Sequence, residues 1–83
     1  MLLPEPDLIR IALLDPDMVR ARPPAPNDWL FVREFDDLVV DQYVIAVVRQ
    51  DEPPDDRRPG RFWVVTAYRS SDEPTMGKVE WQR

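Results

Sequence analysis

Residues 61–69 alternate as a half-buried β-strand does. Phe62, Val64, Thr66 and Tyr68 fall on one parity, and Trp63, Val65 and Ala67 on the other. Val, Phe, Trp, Thr and Tyr all suit a pleated surface, and neither Gly nor Pro interrupts the run. Residues 38–50 form a second, longer run. There Val39, Tyr43, Ile45, Val47 and Arg49 share one parity, and the smaller, wholly aliphatic Val40, Val44, Ala46 and Val48 share the other. Residues 29–35 give a third strand, with Trp29, Phe31, Arg33 and Phe35 on one side and the Asp36-Asp37 turn after it. Residues 77–81 offer a short last one. The remaining periodic stretch is helical. Over residues 5–14, Leu8, Ile9, Ile11, Ala12, Leu13 and Leu14 wrap most of the wheel, and Pro6 suits a first turn.

Proline sets the boundaries. Its ten copies avoid residues 27–52 and 60–73, as expected of strands that need every backbone N–H. Pro16 ends the helix by pushing Asp15 out of the α region. Asp15 then caps a short second helical turn holding Met18 and Val19. Pro23-Pro24-Ala25-Pro26 reads as a stiff, extended connector. Residues 51–59 form a polar loop that Gly60 closes, and residues 70–75 form another loop. The pattern predicts an α+β domain covering residues 1–83. In it, a three- to four-stranded antiparallel sheet pairs 38–50 with 61–69 and carries the N-terminal helix on one face. Val44, Ala46, Val48, Val65 and Ala67 are expected to face Ile9 and Leu13.

Composition narrows the chemistry. Eighty-three residues fit one core. No run approaches the ~20 apolar residues of a membrane span, and Pro4 and Glu5 break any secretory pattern, which points to a cytoplasmic protein without membrane contact. With neither cysteine nor histidine, disulfides, thiolate chemistry and the commonest metal ligands are excluded, and so is the commonest general base. No cofactor or metal is expected. The net charge of −5 is unevenly spread: residues 1–56 hold five basic and thirteen acidic side chains, residues 57–83 six and three. An acidic total opposes nonspecific nucleic-acid binding, but a local basic surface around Arg57, Arg58, Arg61, Arg69 and Lys78 remains available to RNA. The acidic pairs Asp36/Asp37 and Asp55/Asp56 read as turn chemistry.

Four segments in order carry a family likeness: Ala12-Leu13-Leu14-Asp15-Pro16-Asp17-Met18-Val19, Trp29-Leu30-Phe31-Val32-Arg33, Tyr43-Val44-Ile45-Ala46-Val47-Val48, and Val64-Val65-Thr66-Ala67-Tyr68. Together, across about residues 8–69, they resemble the barnase–EndoU–colicin–RelE-like ribonuclease superfamily in its small phage and toxin branches. The resemblance implies metal-independent cleavage of RNA by attack of a ribose 2′-hydroxyl on its neighbouring phosphate. That chemistry needs a base, an acid and cationic donors for the transition state. By the same likeness, Thr66 matches a late-strand hydroxyl. Either Arg33 or Arg49 matches a strand arginine, Arg49 being favoured by its parity with Tyr43. Arg33, Tyr68 and Arg69 would hold substrate. An antitoxin or immunity-type protein is the partner the likeness implies.

The sequence departs from that pattern at its base. There is no histidine and the single lysine is Lys78; with the first helix expected from residue 5, the base-bearing N-terminal helical segment that the likeness implies is expected to be lacking. A shortened or degenerate enzyme fits this, and so does a non-catalytic protein-interaction module. Such a module would use the sheet with Trp29, Phe31, Trp63, Tyr68 and Trp81 as its anchors.

Overall fold

The computed structural model describes residues 4–21, 27–75 and 77–83. Helix α1 runs Pro6–Leu14, and five strands follow: β1 Met18–Ala21, β2 Asp28–Glu34, β3 Tyr43–Gln50, β4 Phe62–Ser70 and β5 Val79–Gln82. They make one antiparallel sheet in the order β4-β3-β2-β1-β5, with α1 on β2 and β3. The α+β layering and the pairing of the two long strands are as expected, and the strand count rises to five.

The added strand replaces the expected second helical turn. Past Pro16 the backbone stays extended, and Met18 and Val19 pair with Val32 and Phe31 of β2 on one side and with Gln82 and Trp81 of β5 on the other. Two ladders and a buried Met18 outweigh one isolated helical turn, which is costly to nucleate. The 38–50 strand begins only at Tyr43. Residues 38–42 turn instead, with Asp41 at φ 52° in the left-handed region that Asp tolerates and Val39 pointing into solvent. The proline connector at 23–26 lies outside the described residues.

Each face of the sheet has its own apolar cluster. On the helix side, Ala12, Phe35 and Val44 are buried together, with Leu8 and Leu38 packed on them. The small side chain of Ala12 therefore makes the close approach, while Ile9 and Leu13 are only half-buried. On the other side, Met18, Leu30, Val32, Ile45 and Val47 are buried beneath Tyr43, Val65 and Tyr68.

Val65 thus belongs to the face away from the helix, against expectation, and a β-bulge is the reason. Val47 pairs with Thr66 but Val48 pairs with Val64, so Val65 is an extra residue in β4 and the alternation slips there. Phe62 and Val64 go to the helix side with Ala67 and Arg69, while Trp63, Thr66 and Tyr68 go to the other. Edge strand β5 has the same device, because Val19 pairs with Trp81 and Arg20 with Val79, leaving Glu80 extra. Both edges of the sheet are therefore bulged, which discourages strand-to-strand association.

The segment from β4 to β5 joins opposite edges and must cross a face. Ser70, Pro74 and Thr75 line a cavity with Leu30, Ile45 and Tyr68, so it crosses the face away from the helix. Arg20 ties it down by donating to the carbonyls of Thr75 and Gly77, the latter at 3.2 Å.

Candidate functional site

The five residues proposed from sequence divide between the two faces. Arg33 pairs with Val44 and Arg69 also pairs with Val44, on the helix side. Arg49, Thr66 and Tyr68 lie on the other. One site cannot hold all five.

Arg33 and Arg69 are engaged within the fold. Arg33 Nη1 donates to the Asp15 carbonyl and to Asp15 Oδ2, both at 2.7 Å, and its guanidinium lies 5.8 Å from the Phe35 ring centre. Arg83 closes on Asp15 from the other side and reaches Asp17 Oδ1 at 3.0 Å, so these arginines clasp the end of α1. Arg69 Nη2 and Nε donate to the carbonyls of Val40 and Asp41 at 2.6 and 3.2 Å, which holds the 38–42 turn against β4.

The open end of the opposite face is built from one straight row across three strands. Asp28 of β2, Arg49 of β3 and Trp63 of β4 are direct partners in register, so their side chains meet. Arg49 Nε and Nη2 donate to Asp28 Oδ1 and Oδ2 at 2.8 and 3.0 Å, a two-point grip that fixes the guanidinium plane. Its cation lies 5.6 Å from the centre of the Trp63 ring. Asp28 is 1% exposed, whereas the Arg49 side chain is 42% exposed. The carboxylate is thus the buried anchor and the arginine its outward end. The hydrogen bonds to Asp28 are the main cause holding the Arg49 pKa above its ordinary value, with the charge of Asp28 next.

Trp63 is oriented as firmly. Its indole Nε1 donates to Asp51 Oδ1 at 2.9 Å, and Asp51 is in turn placed by its backbone N–H, which donates to the Arg61 carbonyl at 2.9 Å. Asp51, Arg61, Phe62 and Trp63 line a shallow open groove at this end of the sheet. The next row on this face is Leu30, Val47 and Thr66, which sets the exposed Thr66 two register positions along β3 from the Arg49 row. Tyr68 follows in the row of Ile45 and Val32, half-buried under the crossing segment.

At the far end of this face Tyr43 pairs with Glu34, and the hydrogen bond to that carboxylate is the main cause raising the phenol's pKa. Among the described residues, no group of three His, Cys, Asp or Glu side chains is placed to hold a metal ion.

Sequence reasoning missed Asp28 and Trp63 as parts of this site. A signal was present for the first. Asp28 shares the parity of Leu30 and Val32, and a charge on the core-facing parity of a strand requires a partner. No family model, curated protein or solved structure matches this chain.

Proposed function

We propose that this chain acts on RNA as a metal-independent endonuclease of the barnase–RelE-like kind, toxin-like or phage-associated, with turnover limited by its lack of histidine. The observation that supports the reading is the shared face of Arg49, Thr66 and Tyr68, open at the Arg49 end and turned away from the helix. Arg49 would bond a phosphate oxygen through its remaining nitrogen, with no reorganisation because Asp28 and Trp63 already fix it. The Thr66 hydroxyl, one row away, would donate to the same phosphate. Tyr68 would border the substrate, whereas Arg33 and Arg69, on the other face, would not touch it. No side chain on this face is an imidazole, so the 2′-hydroxyl lacks an efficient base and slow cleavage follows.

The test is cleavage of RNA by the purified chain with EDTA present. Thr66→Val and Arg49→Ala should each lower the rate by on the order of 10²–10³, as loss of one transition-state donor does. Equal rates in all three proteins would identify a contaminating nuclease and sink the assignment.

A second reading, a non-catalytic protein-interaction module, is favoured by a different observation. On the helix side Phe62, Val64 and Trp81 remain 61%, 41% and 48% exposed, which is unusual for side chains of that size. A folded wild type that leaves RNA intact would favour it.

A further inference from the structure

We infer that Trp63 is a stacking platform for one unpaired base, and that the Asp28–Arg49 pair beside it seats the adjoining phosphate, so that the chain takes single-stranded RNA and rejects duplex. This rests on the RNA reading above and extends it to Trp63 and Asp28, to which that reading gives only the fixing of Arg49.

Trp63 is a core-sized side chain left 44% exposed, one pair from the open end of the hydrogen-bonded β3–β4 ladder. It is nevertheless locked: Nε1 is held by Asp51, and one ring face is occupied by the Arg49 guanidinium. A fixed, solvent-facing indole next to a fixed arginine gives a base a π surface and a phosphate a donor, without ordering either protein group on binding. Arg61 lines the same groove and offers a cation. Bases inside an A-form duplex are stacked on one another and cannot reach a single protruding indole.

The local charge fixes a further property. Arg49 is neutralised by Asp28, and Arg61 stands by Asp51, so two cations meet two anions at this end of the sheet. The whole chain carries −5. Binding must then come from stacking more than from counterion release. Its salt dependence should be that of about one phosphate contact, a slope of log K against log salt of roughly −0.7.

The probe is a 12-nucleotide 2′-O-methyl oligoadenylate, which lacks the attacking hydroxyl, so binding is read apart from cleavage. Fluorescence anisotropy of the labelled strand would be followed with wild type, Trp63→Phe and Trp63→Ala, and with the same strand annealed to its complement. Wild type should bind the single strand at least tenfold tighter than the duplex. Trp63→Ala should weaken binding about 5- to 150-fold, the loss of one stacked base, and Trp63→Phe should largely restore it.

Titration of the indole N–H resonances of unlabelled-RNA complexes covers the case in which Trp63→Ala does not fold. The Trp63 signal should move ahead of those of Trp29 and Trp81. Duplex bound as tightly as single strand, unchanged affinity in folded Trp63→Ala, or an unmoved Trp63 resonance would each overturn the platform while leaving RNA binding intact. No binding of either form by wild type would overturn both readings.

Discussion

Gly60→Ala should destabilise the chain by about 2–3 kcal/mol, because the hairpin between β3 and β4 closes around the missing side chain. A Cβ at position 60 would lie 1.6 Å from the Asp51 carbonyl oxygen, 2.6 Å from its carbon and 3.2 Å from the Glu52 carbonyl carbon. Ordinary contact begins near 3.4 Å, so against the 1.6 Å approach the two backbones must part by about 1.8 Å. Neither neighbour is a flexible side chain that can swing aside. Parting them would stretch the bond from Asp51 N–H to the Arg61 carbonyl, now 2.9 Å, beyond hydrogen-bonding range. Overpacking of this kind costs about 1–3 kcal/mol and the lost bond about 1 kcal/mol. The stiffer unfolded chain of alanine offsets about 0.4–1 kcal/mol. With a urea slope of roughly 1 kcal/mol per molar for a chain of this size, the unfolding midpoint should fall by about 2–3 M. Urea titration followed by far-ultraviolet circular dichroism measures it. A variant as stable as wild type would refute the close approach, and with it the placement of Asp51 under Trp63.

Ala12→Leu should cost about 1–3 kcal/mol by overpacking the junction with Phe35 and Val44, where Ala12 is fully buried; thermal unfolding no lower than wild type would contradict that packing. Glu34→Gln should bring the raised Tyr43 pKa back toward its ordinary value, since that carboxylate is the main cause of the shift. Because the folded value lies above the unfolded one, the associated stability is complete below about pH 10 and is lost as pH rises through the folded value; an unaltered tyrosine titration in the variant would refute the link. Asp55 titrates below the ordinary carboxylate value, chiefly through the Arg57 backbone N–H and then through the Arg58 side chain. Its contribution is present above about pH 4 and lost as pH falls through the lower folded value. Arg58→Ala should raise the Asp55 pKa part of the way, as nuclear magnetic resonance titration of the carboxylate would report.

Alternation read the sheet well where alternation held. Trp29, Phe31 and Arg33 do share a face, as do Val44, Ala46 and Val48, and the two long strands pair as their proline-free runs require. It failed where one residue was added. Nothing in Val64-Val65-Thr66 announces a bulge, since no glycine marks it, and the parity of everything on one side of Val65 reverses relative to the other. That reversal separates Phe62 from Thr66 and brings Trp63 onto the face of Thr66. β1 was missed for a different reason. Four residues of mixed polarity have no periodicity of their own, and Met18–Ala21 is a strand only because β2 and β5 flank it. The likeness that pointed to Arg33, Arg49, Thr66, Tyr68 and Arg69 was carried by short strings, and strings do not encode which face a strand turns outward.

The bulges bear on how this chain can meet any partner. An edge strand of nine residues such as β4, rich in aromatic and β-branched side chains, would ordinarily invite strand addition, but the extra Val65 interrupts the regular spacing that a new strand must match. The other edge is interrupted at Glu80. What remains are the two faces, and they differ in character. One presents a locked arginine, an exposed hydroxyl and a fixed indole; the other presents Phe62, Val64 and Trp81 without a charge in their rows. Substitutions at Trp63 and at Trp81 lie on opposite faces and on opposite edge strands, so their effects on binding should be independent. An RNA-directed protein loses its ligand through Trp63 and is indifferent to Trp81, whereas a protein-docking module that uses the helix side does the reverse.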